Sequence, residues 1–308
     1  MKFARILAAI ASKYWAMQPD KLYALVEIMR NRLESGKLSE QEIVAKIGSG
    51  QEKQIAKQQG DVLVLPLQGV ITNRAALVSD VSSPPGTSAE AFSNQFRTAL
   101  NDPAIKAIVL DVNSPGGTVN GVDELASEVF AARGVKPVIA QVNSMAASAA
   151  YWIASAAEEM VVNPTGEVGS IGVYTLHEDV SQMLEAAGVK ETFISAGKYK
   201  VEGNPFEPLG DEAKAAIQDD VNAYYDMFVR AVSRNRKASL SAVRGGFGEG
   251  RMVRADKAVA EGMADRIGTM RETLGRLGVN TDAPPAAKVK TSGRKSSLLM
   301  RELELLEK

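Results

Sequence analysis

The sequence predicts an α/β fold, with a core of mainly parallel strands and helices on its flanks. Three observations carry the prediction. Short continuous apolar runs, VLVLPLQGVI, KAIVLDV and PVIAQV, have the length and composition of buried strands. Segments of helical period alternate with them, and glycine-rich turns such as NSPGG follow the strands. No internal repeat is present, so the α/β unit occurs once.

Before the first of these strands, Leu22, Leu25, Val26, Met29 and Leu33 recur at helical spacing between Pro19 and Gly36, and Gly36 supplies a C-terminal stop. This predicts an amphipathic helix outside the main core. A polar stretch, GSGQEKQIAKQQGD, leads from it into VLVLPLQGVI, which puts a domain boundary near residue 58. Beyond SSPPG, Thr87 and Glu90 have the spacing of a capping box ahead of a helix over AEAFSNQFRTAL. The strand KAIVLDV runs into NSPGG. A helix over VDELASEVFAARG, the strand PVIAQV, a helix over NSMAASAAYWIASAA and the strand EEMVVN then follow.

From Asp211 to Arg236 a long helix carries Ile217, Val221, Tyr224, Phe228 and Val232 on one side. Residues 280–297 are small, polar and basic, the composition of a flexible linker, and LLMRELELLEK can form only a brief helix after it. The expected organisation is therefore an N-terminal helical extension over 1–58, an α/β domain over 59–279, and a flexible tail over 280–308.

Composition narrows the function classes. The 308 residues carry 36 basic and 37 acidic side chains, so no overall charge favours nucleic acid or an anionic membrane. There is no cysteine, which removes disulfides, thiolate metal sites and cysteine nucleophiles. One histidine, His177, rules out a multi-histidine zinc site. No cofactor or metal is expected. The apolar patch of MKFARILAAIASKYW is too short to span a membrane and lacks a persuasive cleavage site, so neither a signal peptide nor a membrane span is expected.

Chemistry gathers at two places. Ser148 sits in NSMAASAAYW among small side chains, after an apolar strand and at the opening of a helix. There its hydroxyl lies near free backbone amides and the positive end of the helix dipole, and the alanines leave room for an extended peptide to approach. Alanines also let a helix pack tightly on a sheet, so this motif alone does not separate catalysis from packing. The second place is NSPGG, Asn113 to Gly117, at the end of the preceding strand. Gly116 and Gly117 can aim backbone N–H groups at a developing oxyanion, with the amide of Ala149 assisting. An ordinary strand-to-helix turn is the simpler alternative.

With these motifs in view, the chain resembles the signal peptide peptidase A family of serine peptidases. That family uses a Ser-Lys dyad on a fold related to Clp protease and crotonase. The resemblance runs from about residue 60 to 272 through VLDVNSPGGTVNG, VNSMAASAAYWIASAA, GEVGSIGVY, SAGKYKVEGNPF and MVRADKAVAEGMADRIGT. The soluble bacteriophage head-maturation branch is most similar, through KVEGNPF and LHEDV.

The resemblance implies Ser148 as nucleophile, Lys200 as general base, Ser170 as the serine that orients the lysine amine, and Gly116 and Gly117 as the oxyanion turn. SAGKYKVEGNP holds one residue more than the family pattern. Alignment on VEGNP selects Lys200, whereas alignment on SAG leaves Lys198 in play. A lysine takes a serine proton near neutral pH only when desolvation lowers its pKa from about 10.4 toward 7–8. His177, with Asp179 as its orienting partner, is a rival base, because Clp-type proteases use a histidine after the serine.

The resemblance further implies polypeptide substrates, among them scaffold and capsid-associated proteins of an immature phage head and the protein's own tail. It implies action in the bacterial cytoplasm or the prohead. It also implies a homo-oligomer, of which a ring is one form. Rival readings are a bacterial peptidase clearing signal-peptide remnants, a crotonase-like acyl-CoA enzyme with no role for Ser148, and a non-catalytic head protein. The KVKTSGRK cluster offers only a few solvated cations, so no nucleic-acid partner is expected.

Overall fold

The structure, a computed structural model, describes residues 13–23, 26, 56–74 and 86–281. In chain order its strands are β1 (Trp15–Met17), β2 (Lys57–Gln59), β3 (Val62–Gln68), β4 (Ile71–Thr72), β5 (Thr87–Ser88) and β6 (Ala107–Ser114). There follow β7 (Gly116–Thr118), β8 (Val138–Ala147), β9 (Glu159–Val162), β10 (Glu167–Gly169), β11 (Met252–Arg254) and β12 (Arg266–Ile267). The helices are α1 (Ala89–Asn101), α2 (Val122–Ala131), α3 (Ala149–Ala154), α4 (Ser181–Ala186), α5 (Asp211–Arg236), α6 (Leu240–Gly245), α7 (Ala255–Ala260) and α8 (Met270–Arg276).

The main sheet has the order β11-β10-β8-β6-β3-β2, with β9 branching from β8 and β12 from β9. Its centre is parallel: β3 with β6, β6 with β8, and β8 with both β9 and β10. Strands of this kind, covered on both faces, read as unbroken apolar runs, which is why VLVLPLQ and AIVLDV were legible. A smaller sheet, β1-β7-β4-β5, stands at the carboxyl end of β6.

Strand β8 changes partners along its length. Ile139 to Val142 pair with β9, whereas Met145 to Ala147 pair with β10. A register shift between Val112 and Ser114 of β6 accompanies the change. The segment NSMAA is thus strand, where the sequence had suggested helix; its pairing with β10 overrides the helical preference of alanine. Helix α3 begins only at Ala149.

Behind Ser148, α3 is wholly buried, and Trp152 stacks on Phe228 of α5 at 4.5 Å between ring centroids and 8° between planes. Such a pair contributes about 0.5–1.5 kcal/mol beyond its buried area. Arg133 caps the far end of α3, donating to the carbonyls of Ser155, Ala156 and Ala157 and also to that of Asn235. A cation at a helix C-terminus is favoured by the dipole as well as by these bonds.

Helix α5 spans Asp211–Arg236 as expected, with Phe228, Val229 and Val232 buried and its N-terminal half more open. At α1 the cap differs from expectation. Ser88, not Thr87, accepts from the amide of Ala91, because the Thr87 hydroxyl is engaged with the backbone of Gln68 in both directions.

The N-terminal region also departs from the expected outlying extension. Residues 19–23 and 26 are helical as predicted, but β1 pairs with β7 inside the α/β domain, across the boundary expected at residue 58. The tail expected from residue 280 lies outside the described residues from 282 onward, as does most of the helix expected up to Gly36. Among the described residues, no helix is long and apolar enough to cross a membrane.

Candidate active site

Three parallel strands end side by side, each at a serine, and two of these serines, Ser148 and Ser170, are ones singled out by the sequence. Ser114 closes β6, Ser148 follows β8, and Ser170 follows β10. The register pairs Ala147 with Gly169, so Ser148 and Ser170 leave adjacent strands at the same level. Both have positive φ, 54° and 53°, the backbone of a sharp turn off a strand end. Carboxyl ends of parallel strands are where α/β folds collect ligands.

Backbone bonds hold Ser148 on both sides. Its ψ is −116°, its amide donates to the carbonyl of Gly169 at 2.7 Å, and its own carbonyl accepts from Trp152 in the first turn of α3. A non-glycine residue held in such a conformation costs about 1–3 kcal/mol, which the surrounding bonds must offset. The strained strand-to-helix turn is how α/β hydrolases present a serine above a sheet. The hydroxyl donates to the carbonyl of Gly172 at 3.4 Å, and the residue is 1% exposed.

The glycine turn lies against it. Gly116 has φ 97°, and a Cβ there would stand 3.0 Å from the carbonyl oxygen of Ala147, the residue before Ser148. On Gly117 a Cβ would fall 1.8 Å from the carbonyl oxygen of Ile71. Only glycine permits this closeness. The amide of Gly116 points to the hydroxyl of Ser114 at 3.2 Å, and that hydroxyl donates to the carbonyl of Gly69 at 2.6 Å. Ser114 therefore pins the turn. Sequence reasoning passed over it, although the serine of NSPGG was in view. Ala149 opens α3, so its N–H has no acceptor within the helix.

The candidate bases are placed differently. Lys200 lies in an exposed turn, its amide donating to the carbonyl of Gly197 at 3.1 Å. Among the described residues no hydrogen bond joins it to Ser148 or Ser170. Lys198 is engaged elsewhere: its ammonium contacts Glu212 and the Tyr199 hydroxyl, both at 2.8 Å, and the hydrogen bond to Glu212 is the main influence holding its pKa above the ordinary lysine value. His177 bridges through Nε2 to the carbonyl of Asn204 at 3.1 Å. Asp179 accepts from the amide of Ser181 at the start of α4. Neither of them reaches Ser148 through a hydrogen bond.

Residues 131–283, which hold Ser148, Ser170 and both lysines, match the family described as Peptidase family S49. The chain belongs to that family. Within this S49 chain, 232 residues are 32% identical to the capsid assembly protease C of Escherichia phage lambda, covering 75% of the chain and 51% of the relative. Another 32% identity, over 206 residues, is to the head-tail preconnector protein GP5 of Enterobacteria phage P21, covering 67% of the chain and 40% of the relative. The S49 chain thus spans about half the length of the first relative and less of the second. Among solved structures, a ClpP1 variant from Listeria monocytogenes superposes with a TM-score of 0.43 at 15% identity, over 68% of this chain and 94% of that one.

Proposed function

We propose that this S49 chain is a serine endopeptidase that works through an acyl-enzyme on Ser148, with Lys200 as general base. The single observation that carries the reading is the strained turn at Ser148, which presents a hydroxyl beside Gly116 at the meeting of three strand ends. In the proposed reaction the Lys200 amine takes the hydroxyl proton as Oγ attacks the substrate carbonyl carbon. The resulting oxyanion is held by the amides of Gly117 and Ala149, joined by that of Gly116 once it leaves the Ser114 hydroxyl. The C–N bond then breaks, and the departing amine receives the proton from Lys200. Water, deprotonated by the same amine, hydrolyses the ester and restores Ser148. Ser170, one strand over at the same level, is the proposed partner that orients the lysine.

Such a base must be neutral when it acts, which calls for a dry setting. The stretch that precedes and includes Lys200 is open in the single chain, and it carries Met183, Val189, Phe193, Ile194 and Tyr199 exposed, with Ile194 at 99%. A second copy covering this apolar face would bury the loop, and this supports a homo-oligomer. The names of the two phage relatives support head proteins as substrates and a place of action in the host cytoplasm or the prohead.

A fluorophosphonate probe tests the chemistry. It should modify Ser148 in the wild type and in Lys198→Ala, and fail in Ser148→Ala and Lys200→Ala. Loss in Lys198→Ala with retention in Lys200→Ala would transfer the role to Lys198, and no labelling of any folded form would sink the reading. Mass spectrometry of head proteins co-expressed with the active chain and with Ser148→Ala tests the substrate class.

A further inference from the structure

Residues 13–18 lie across the candidate site as an extended strand bound along both edges. On one edge Trp15, Ala16 and Met17 pair antiparallel with Thr118, Gly117 and Gly116. The ladder continues at both ends, from the amide of Val119 to the carbonyl of Tyr14 at 3.1 Å and from the amide of Gln18 to the carbonyl of Pro115 at 3.0 Å. On the other edge Trp15 and Tyr174 exchange both backbone bonds, at 2.8 and 3.0 Å, and the Thr175 hydroxyl donates to the carbonyl of Lys13 at 3.0 Å. Continued by two residues, the antiparallel register of Trp15 with Tyr174 sets Met17 opposite Gly172. The carbonyl of Gly172 is the acceptor of the Ser148 hydroxyl.

The segment therefore runs between the glycine turn and the residues after Ser170, the two elements that flank the serine. The carbonyl oxygen of Ala16 would be 2.2 Å from a Cβ on Gly116, so the two backbones are as close as glycine allows. Side chains alternate as they must in a strand. Ala16 points into the main core and is fully buried. Trp15 and Met17 turn the other way and pack with Leu22, Val26, Val70 and Tyr174. Main-chain bonds on both edges with alternate side chains in pockets are the terms on which sheets accept extended peptides.

We propose that residues 13–18 are an autoinhibitory segment, filling the channel between Gly116–Thr118 and Gly172–Tyr174 in the manner of a substrate and blocking it until they leave. The substrate class follows from the occupant: an extended segment in which a small residue stands between two large apolar ones. The groove has room for one strand, so a substrate enters only when residues 13–18 leave. That the bound peptide is cleaved rests on the serine-peptidase reading; that the groove binds it does not.

The test uses the full chain carrying Ser148→Ala, so that binding is read without hydrolysis. The probe is a fluorescein-labelled peptide with the sequence of residues 13–20. Ala16→Arg places a charged side chain where no space exists and should expel the strand; Trp15→Pro, which removes the donor to Tyr174, is the second opening variant. Either opened form should bind the probe about tenfold or more tightly than the parent, by fluorescence anisotropy. The unlabelled peptide should compete, and a peptide with arginine in place of the alanine should not. Opened variants that keep the parent's circular dichroism yet bind no better would overturn the proposal. If the peptide binds as expected while restored Ser148 remains unlabelled by the fluorophosphonate in the Ala16→Arg chain, the groove stands and the peptidase reading falls.

Discussion

The amide of Ser148 donates to the carbonyl of Gly169 at 2.7 Å, tying the end of one parallel strand to its neighbour at the point where the chain must turn sharply into a helix. That bond helps hold φ at 54° and ψ at −116°, a conformation in which a Cβ is strained. Ser148→Gly should consequently be more stable than Ser148→Ala by about 1–2 kcal/mol. Urea denaturation of the two variants measures the difference directly. Equal midpoints would mean that the turn stores no strain.

Gly116→Ala should be far more damaging than its single methyl suggests. The added Cβ would sit in left-handed backbone, 2.2 Å from the carbonyl of Ala16 and 3.0 Å from that of Ala147. Either β1 moves away or the turn rotates its amide out of position. Loss of one oxyanion donor costs about 100-fold or more in rate. Where the amide rotates, casein hydrolysis should fall by at least that factor; where β1 moves away, the amide of Trp15 should exchange faster with solvent. A variant with unchanged exchange and unchanged rate would refute this account of the turn.

Arg133→Met is expected to weaken the platform on which Ser148 rests. The guanidinium satisfies carbonyls of Ser155, Ala156, Ala157 and Asn235, joining the end of α3 to the end of α5. Methionine keeps part of the apolar stem but leaves these acceptors without their donor, at a cost of about 2–4 kcal/mol. Chemical denaturation should show that loss, and a shift under about 0.5 kcal/mol, typical of surface substitutions, would assign Arg133 a surface role only.

How far the sequence disclosed the site depends on whether the information was local. That the glycine turn lies beside Ser148 was legible because strand, glycine pair and small-residue cluster lie within one stretch of chain. Helix α5 was legible because its apolar period and its long run need no partner to be read. The start of α3 was not, since NSMAA becomes strand only through β10, which is distant in sequence. The pairing of β1 with β7 was hidden for the same reason. WAM carries no sign of the glycine edge it meets about a hundred residues later. Lys200 is a different case: its loop is exposed, and among the described residues no hydrogen bond joins it to Ser148, so neither local pattern nor strand pairing places its amine.

Acid should act on the protein through Asp265. Burial pushes its carboxyl up, but bonds from Arg236 and the Met160 amide, with the charges of Arg236 and Arg133, outweigh that and hold it below the ordinary carboxylate range. Arg236 grips it with both terminal nitrogens, at 2.7 and 2.8 Å, joining the end of α5 to the loop before β12. A carboxyl depressed in the folded state adds stability that is fully present above its unfolded pKa and is lost as pH falls through the folded one. The loss should begin near the ordinary aspartate value of about 4 and continue below it. Asp265→Asn should therefore melt lower than the wild type at neutral pH, with the two melting curves drawing together as the solution is acidified below about pH 4. Thermal melts across that range decide the matter: a constant separation between wild type and variant down to the most acidic condition would show that the charge of Asp265 is not what binds α5 to the sheet.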